Sequence, residues 1–132
     1  MQTLLPEGWP RPSGYANGIA AEGRQVFVAG QIGWLPNGQF ETDEMAGQIE
    51  QALKNTMAVL KEADAGPEHI VRMTWYVTDC DAYLDALKEI GTAWRDIMGR
   101  NYPAMAVVQV SRLVERRALV EIETTAIIPS TI

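Results

Sequence analysis

Met45, Ile49, Leu53, Met57 and Leu60 recur at the spacing of one helical face. The stripe runs for about five turns. Thr42 is a good N-cap for it, with Asp43 and Glu44 in the first turn, where the helix dipole favours acids. Gly66-Pro67 stops it. A second stripe starts at Tyr83 or Leu84, continues through Leu87, Ile90, Trp94 and Ile97, and closes on Gly99 as C-cap. Asp79 or Asp81 caps its start. Each helix has a single apolar stripe, so each covers something on one side only. Two such helices make one layer, enough for one face of a sheet.

The remaining chain supplies that sheet. Met1–Gly14, with Pro6, Pro10 and Pro12, reads as an extended arm held by Leu4, Leu5 or Trp9. Tyr15–Ala21 and Gln25–Gln31 flank the turn signal Glu22-Gly23 and read as a hairpin. Gly30 allows a bulge or a close backbone approach, and Pro36-Asn37-Gly38 is a turn. Ile70–Val77 is a strand with Val71, Met73, Trp75 and Val77 on one face and Ile70, Arg72, Thr74 and Tyr76 on the other. Asn101–Ile127 reads as two strands joined by a turn at Leu113–Arg117.

The expected order is β-β-α-β-α-β-β, an α+β fold with two helices on one face. Along the last strand, Ala118, Val120, Ile122, Thr124 and Ala126 suit the helices. Leu119, Glu121, Glu123, Thr125 and Ile127 face the other way, and no third layer is left to cover them. A half-apolar, uncovered sheet face predicts self-association.

Bulk properties narrow the function. The 132 residues suit one domain spanning 1–132, large enough to fold without staples. A net charge of -6 is a poor match for nucleic acid, whose phosphates are neutralised by Lys and Arg. One Cys and one His exclude an intrachain disulfide and leave too few soft ligands for structural zinc. No basic start followed by an apolar core marks a signal peptide, and no apolar run nears the roughly 20 residues of a membrane span. The expected compartment is the cytoplasm, with no membrane partner.

Few residues stand out chemically. Glu121 and Glu123, two apart on a strand, point the same way, roughly 7 Å apart. They read either as a carboxylate pair that positions water or moves a proton, or as a solvated sheet face. His69, at a helix-to-strand junction, reads as a turn histidine or a general base. Cys80 lies between Asp79 and Asp81, neighbours that disfavour a thiolate, and reads as structural. Trp34 precedes a turn and is placed to line a pocket or an interface.

Five stretches together resemble the RidA/YjgF family, also called L-PSP endoribonuclease-like or reactive-intermediate deaminases. They are GYANGIAAEGRQVFVAGQI, QIEQALKNTMAVLKEADAG, HIVRMTWYVTDCDAY, YPAMAVVQVSRL and ALVEIETTAI. The resemblance implies a chorismate-mutase-like α+β homotrimer with its sheets in a central barrel, its helices outside and clefts between subunits. It further implies hydrolysis of small enamines and imines such as 2-aminoacrylate, without metal or organic cofactor. Glu121 matches the residue that positions water. Tyr15 matches the tyrosine of the family's Gly-Pro-Tyr segment, without the proline. Gly30 and Gln31 match the end of a strand where Ala29 replaces the usual Ser, and Val107 would offer its backbone.

At the position of the family's carboxylate-clamping Arg this chain has Met105, and a thioether cannot bind a carboxylate. Lys88 is a candidate replacement charge. Three readings follow. The chain is a divergent enzyme for an imine, enamine or related metabolite other than 2-aminoacrylate. Alternatively it is a non-catalytic trimer binding a small ligand or a protein. The third reading is the ribonuclease or translation-inhibitor activity in the family's older name, which the acidic pI of about 4.7 weighs against.

Overall fold

A computed structural model describes residues 1–130, so the last two residues of the expected 1–132 domain lie outside the described residues. In chain order the elements are β1 (Gln2–Leu4), β2 (Gly18–Ala20), β3 (Arg24–Ile32), α1 (Met45–Lys61), β4 (Ile70–Val77), α2 (Cys80–Asp85), α3 (Leu87–Met98), β5 (Ala104–Gln109) and β6 (Val120–Ile128). The central sheet has the order β3-β6-β4-β5. β6 is antiparallel to both its neighbours, and β5 runs parallel to β4. The helices pack on one face, making the protein mixed α+β with one helical layer, as expected.

Several local expectations are corrected. β2 and β3 form no hairpin. β2 pairs with β1, inside the stretch expected to be an arm, and β3 pairs with β6. The cause lies at Gly23, whose φ of +146° and close packing against the Ile128 carbonyl lead the chain straight into the β6 pairing. Leu4, Leu5 and Trp9 remain exposed, so the arm is held by its ladder rather than by apolar anchors.

β5 and β6 are likewise not partners, because β4 lies between them. The first residue of α1 is Met45, with Glu44 as N-cap. Thr42 acts two residues earlier, its hydroxyl accepting from the Glu44 N–H at 3.0 Å. The second helix is broken at Ala86 into α2 and α3. Asp79 caps α2 by accepting from the Ala82 N–H, and Gly99, with φ +65°, ends α3 as expected. A register shift between Ile70 and Arg72 turns Ile70 into the core beside Met73, reversing its expected face.

The core lies between α1, α3 and the sheet, around Ile49, Leu53, Trp75, Trp94 and Ile122. One buried polar side chain fastens it. Gln48 donates to the carbonyls of Thr42 and Arg117, both at 3.0 Å, and accepts from the Leu119 N–H at 2.7 Å. The bonds to Arg117 and Leu119 hold the start of α1 against the chain entering β6, which sets where Glu121 emerges, and the bond to Thr42 ties α1 to its own lead-in loop. Among the described residues no layer covers the opposite sheet face. Phe27 is 71% exposed there, and Val108 and Ala106 are also exposed.

Candidate functional site: two half-sites on opposite sheet faces

Strand parity divides the candidate residues. Glu121 pairs across β4 with Tyr76 and across β3 with Ile32. Its neighbour Ile122 is buried under the helices, so Glu121 stands on the bare face. The pairing of β3 slips between Val28 and Gln31, a bulge centred on Ala29 and Gly30. The bulge brings Gly30 against the Glu121 side chain. A β-carbon on Gly30 would sit 2.6 Å from Glu121 Cδ and 2.7 Å from Oε2. Glycine is required there for closeness, since its φ is not in the left-handed region.

Gln31 turns back on the same bulge and donates to the Ala29 carbonyl at 3.2 Å. On the other side of Glu121, the Tyr76 hydroxyl donates to Glu123 Oε1 at 2.7 Å. That bond is the largest cause holding the Tyr76 phenol above its usual range, followed by desolvation and by the negative charges of Glu123 and Glu121. Tyr76 therefore stays a neutral donor at neutral pH, and Glu123 is committed to it. Of the two carboxylates, Glu121 is the one with no side-chain partner among the described residues.

The other half lies under the helices. Met105 and Val107 pair with Met73 and Trp75 of β4 and share their buried side. Tyr15 is brought to them by the backbone. Ala16 N–H donates to the Pro103 carbonyl at 2.9 Å, and Ala16 forms a parallel bridge with Ala104. Together with α3 these residues line an open-mouthed cavity of about 550 Å³. Its wall is aromatic. Trp75 and Trp94 lie 6.0 Å apart between ring centroids, Trp94 stacks on Tyr102 at 6.1 Å and 9°, and Tyr83 meets Trp75 edge-on. Burial, and then Cys80, push the Tyr83 hydroxyl upward, so it too stays protonated. The Trp75 and Trp94 N–H groups have no protein partner and no contact with solvent, so these residues offer ring surface rather than donors.

Two candidates fall outside both halves. Trp34 packs on Phe40 at 6.0 Å, and its carbonyl accepts from Asn55 Nδ2. Lys88 borders a shallow cleft with Glu50, Glu89 and Asp96 and does not line the Met105 cavity. The α3 face above Met105 carries Leu87, Gly91 and Arg95 instead, at four-residue spacing, with Lys88 rotated off it by one residue. Arg95 is thus the charged residue at the cavity that a reading of apolar stripes misses. Its spacing from Leu87 was the available signal.

His69 Nδ1 accepts from the Gly66 N–H at 3.0 Å and closes the turn between α1 and β4. The Cys80 N–H donates to Gln109 Oε1, and its thiol is free. Among the described residues no group of three or more His, Cys, Asp or Glu is placed to hold a metal ion.

The architecture defines a class: one helical layer on a mixed four-stranded sheet whose other face is bare. The sequence model of the endoribonuclease L-PSP family matches residues 10–128. A RutC family protein of Pyrococcus abyssi is 29% identical, with 95% of each chain covered. The human protein named 2-iminobutanoate/2-iminopropanoate deaminase is 32% identical over 79% of this chain and 73% of its own. The crystal structure of YyfB, a Rid-family protein of unknown function from Yersinia pestis, superposes with a TM-score of 0.84 at 28% identity, covering 96% of this chain and 98% of that one. The chain belongs to the L-PSP endoribonuclease-like, or RidA/YjgF, family.

Proposed function

We propose that this chain hydrolyses a small imine or enamine in clefts between copies of itself, assembled as a homotrimer. One observation carries the reading. Glu121 with Gly30 stands on the bare sheet face, with Gln31 next along the strand and paired to Ile122, and Tyr15 with Met105 and Val107 lines the cavity on the other face. Within one chain, β4 separates β5 from β6, a lateral gap of roughly 10 Å in addition to the thickness of the sheet. A ligand held by both halves therefore needs Glu121 from one copy and the cavity from its neighbour. The exposed Phe27 and Val108 supply apolar surface for that contact. In the cleft Glu121 holds the attacking water, Tyr15 closes the cavity, and no metal or organic cofactor takes part. The same reading makes the chain a one-domain cytoplasmic protein.

Met105 favours a second reading, a trimer that binds a ligand without turning it over. It also predicts that 2-aminoacrylate, whose carboxylate would meet the thioether, is not hydrolysed efficiently. Ribonuclease activity is disfavoured by the net charge of -6.

The test is complementation between subunits. Glu121→Gln and Tyr15→Ala each disable one half. Co-expressed in equal amounts with different tags and assayed on a panel of imines, mixed trimers regain about one quarter of wild-type ammonia release, since each cleft draws its halves independently from two chains. A mixture no more active than the mean of the two variants overturns the shared cleft. Turnover unaffected by Glu121→Gln removes that residue, and a panel without turnover leaves the binding reading.

A further inference from the structure

We infer that Arg95 supplies the anion-binding charge that β5 lacks, and that the cavity takes a planar, carboxylate-bearing ligand with an unsaturated or aromatic body. The inference deepens the proposed function by naming the class of ligand.

Among the residues lining the cavity, Arg95 is the only one with a formal charge. Its guanidinium is folded back over its own helix, with a β-carbon on Gly91 falling 3.4 Å from Nη1. The sequence around it leaves it no partner. On a helix the neighbours of Arg95 are the residues three and four away, here Gly91, Thr92, Met98 and Gly99, none of them acidic. The ion pairs among the described residues are Lys54–Glu50 and Arg117–Asp43, and the single guanidinium lying over an aromatic ring is that of Arg117 on Phe40. In a chain with 17 acidic residues against 11 basic ones, Arg95 is left uncommitted at the rim of an aromatic cavity.

The geometry also explains why Met105 is tolerated. A charge on β5 would approach a ligand from the sheet, beneath it. Arg95 approaches from α3, across the opening, and leaves the floor to apolar and ring surface. The exposed rings of Tyr15 and Tyr102 flank that opening, with Trp75 and Trp94 behind them. Ring surface on several sides selects a flat ligand, and a forked donor at the rim selects a carboxylate at its edge. A compact three-carbon acid would leave most of the 550 Å³ unfilled.

The probes are 2-aminobenzoate, a flat amino acid with its carboxylate at the edge, and its uncharged counterpart 2-aminobenzamide. Each is titrated calorimetrically into wild-type protein and Arg95→Gln. Wild type is expected to bind the carboxylate at least about tenfold more tightly than the amide, with a preference that shrinks as salt is raised. Arg95→Gln should abolish the preference and change affinity for the amide by less than about threefold, with an unchanged melting temperature because the side chain is exposed. No preference in wild type, a preference that survives in Arg95→Gln, or no binding of either probe overturns the inference. Arg95-dependent binding without Glu121-dependent turnover sinks the hydrolase reading alone. Glu121-dependent turnover without a charge preference sinks the present inference alone.

Discussion

Replacing Gly30 by Ala separates a site from a fold. The added β-carbon meets Glu121 at 2.6 Å from Cδ, 2.7 Å from Oε2 and 2.8 Å from Cγ. Ordinary carbon contacts are about 3.5–4.0 Å, so the carboxyl group has to withdraw by about 1 Å. It can do so cheaply. Glu121 is a flexible, half-buried side chain on the bare face, and the backbone at Gly30 is not left-handed. The free energy of unfolding should change by no more than about 1 kcal/mol, since reduced freedom of the unfolded chain offsets the displacement. A misplacement of about 1 Å in a group that orients water costs on the order of 100-fold in rate. Gly33→Ala is the matched control. There the β-carbon meets the Gln48 backbone, 2.5 Å from its carbonyl oxygen and 2.6 Å from Cα, and neither atom can swing away. That variant should lose about 1–3 kcal/mol of stability. Urea unfolding and ammonia release on the imine panel, measured on both variants, decide the matter. If Gly30→Ala keeps wild-type turnover at wild-type stability, the position of the Glu121 carboxylate does not matter and its assignment fails.

Two further predictions concern the frame. Gln48→Leu removes three hydrogen bonds and leaves the Leu119 N–H and two carbonyls without that partner, which should cost about 2–4 kcal/mol in urea unfolding; a loss below about 1 kcal/mol would mean water or a backbone shift replaces it. Tyr83 ionises less readily in the folded state than its ordinary value of 10.0, so its contribution to stability is complete below pH 10 and is lost as pH rises through the higher folded value. Unfolding midpoints measured from pH 9 upward should therefore fall less steeply in Tyr83→Phe than in wild type, and parallel curves would refute the assignment.

The short β1 and the break at Ala86 that splits the second helix were not legible from periodicity, whereas the helical layer, the order of the five strands after the arm and the bare sheet face were. Those features depend on which residues share a side, and a period of 2 or 3.6 reports that directly. What periodicity does not report is who pairs with whom. The Glu22-Gly23 signal marks a bend but not a hairpin, because the Gly23 packing that sends β3 to β6 involves Ile128, more than 100 residues away. β5 and β6 follow one another in the chain, yet β4 lies between them in the sheet. One extra residue at the β4 bulge was enough to reverse the face of Ile70.

The same distinction governs the site. Glu121 and Gly30 could be placed from strand parity and a glycine at a strand end, and the structure brings their atoms together. Met105 marked where a charge was missing, but the position opposite it belongs to a helix, where an error of one residue is a rotation of about 100°. Lys88 and Leu87 differ by that rotation, and only Leu87 lines the cavity. The helical face that begins at Leu87 continues to Gly91 and ends on Arg95. On the reading proposed above, a helix arginine stands in for the family's strand arginine, conserving the sign of the cavity while turning the approach of the charge and making room for a flat ligand. Loss of the Arg on β5 is therefore better read as a change of substrate than as a loss of function, and the carboxylate-against-amide titration on Arg95→Gln is where that reading stands or falls.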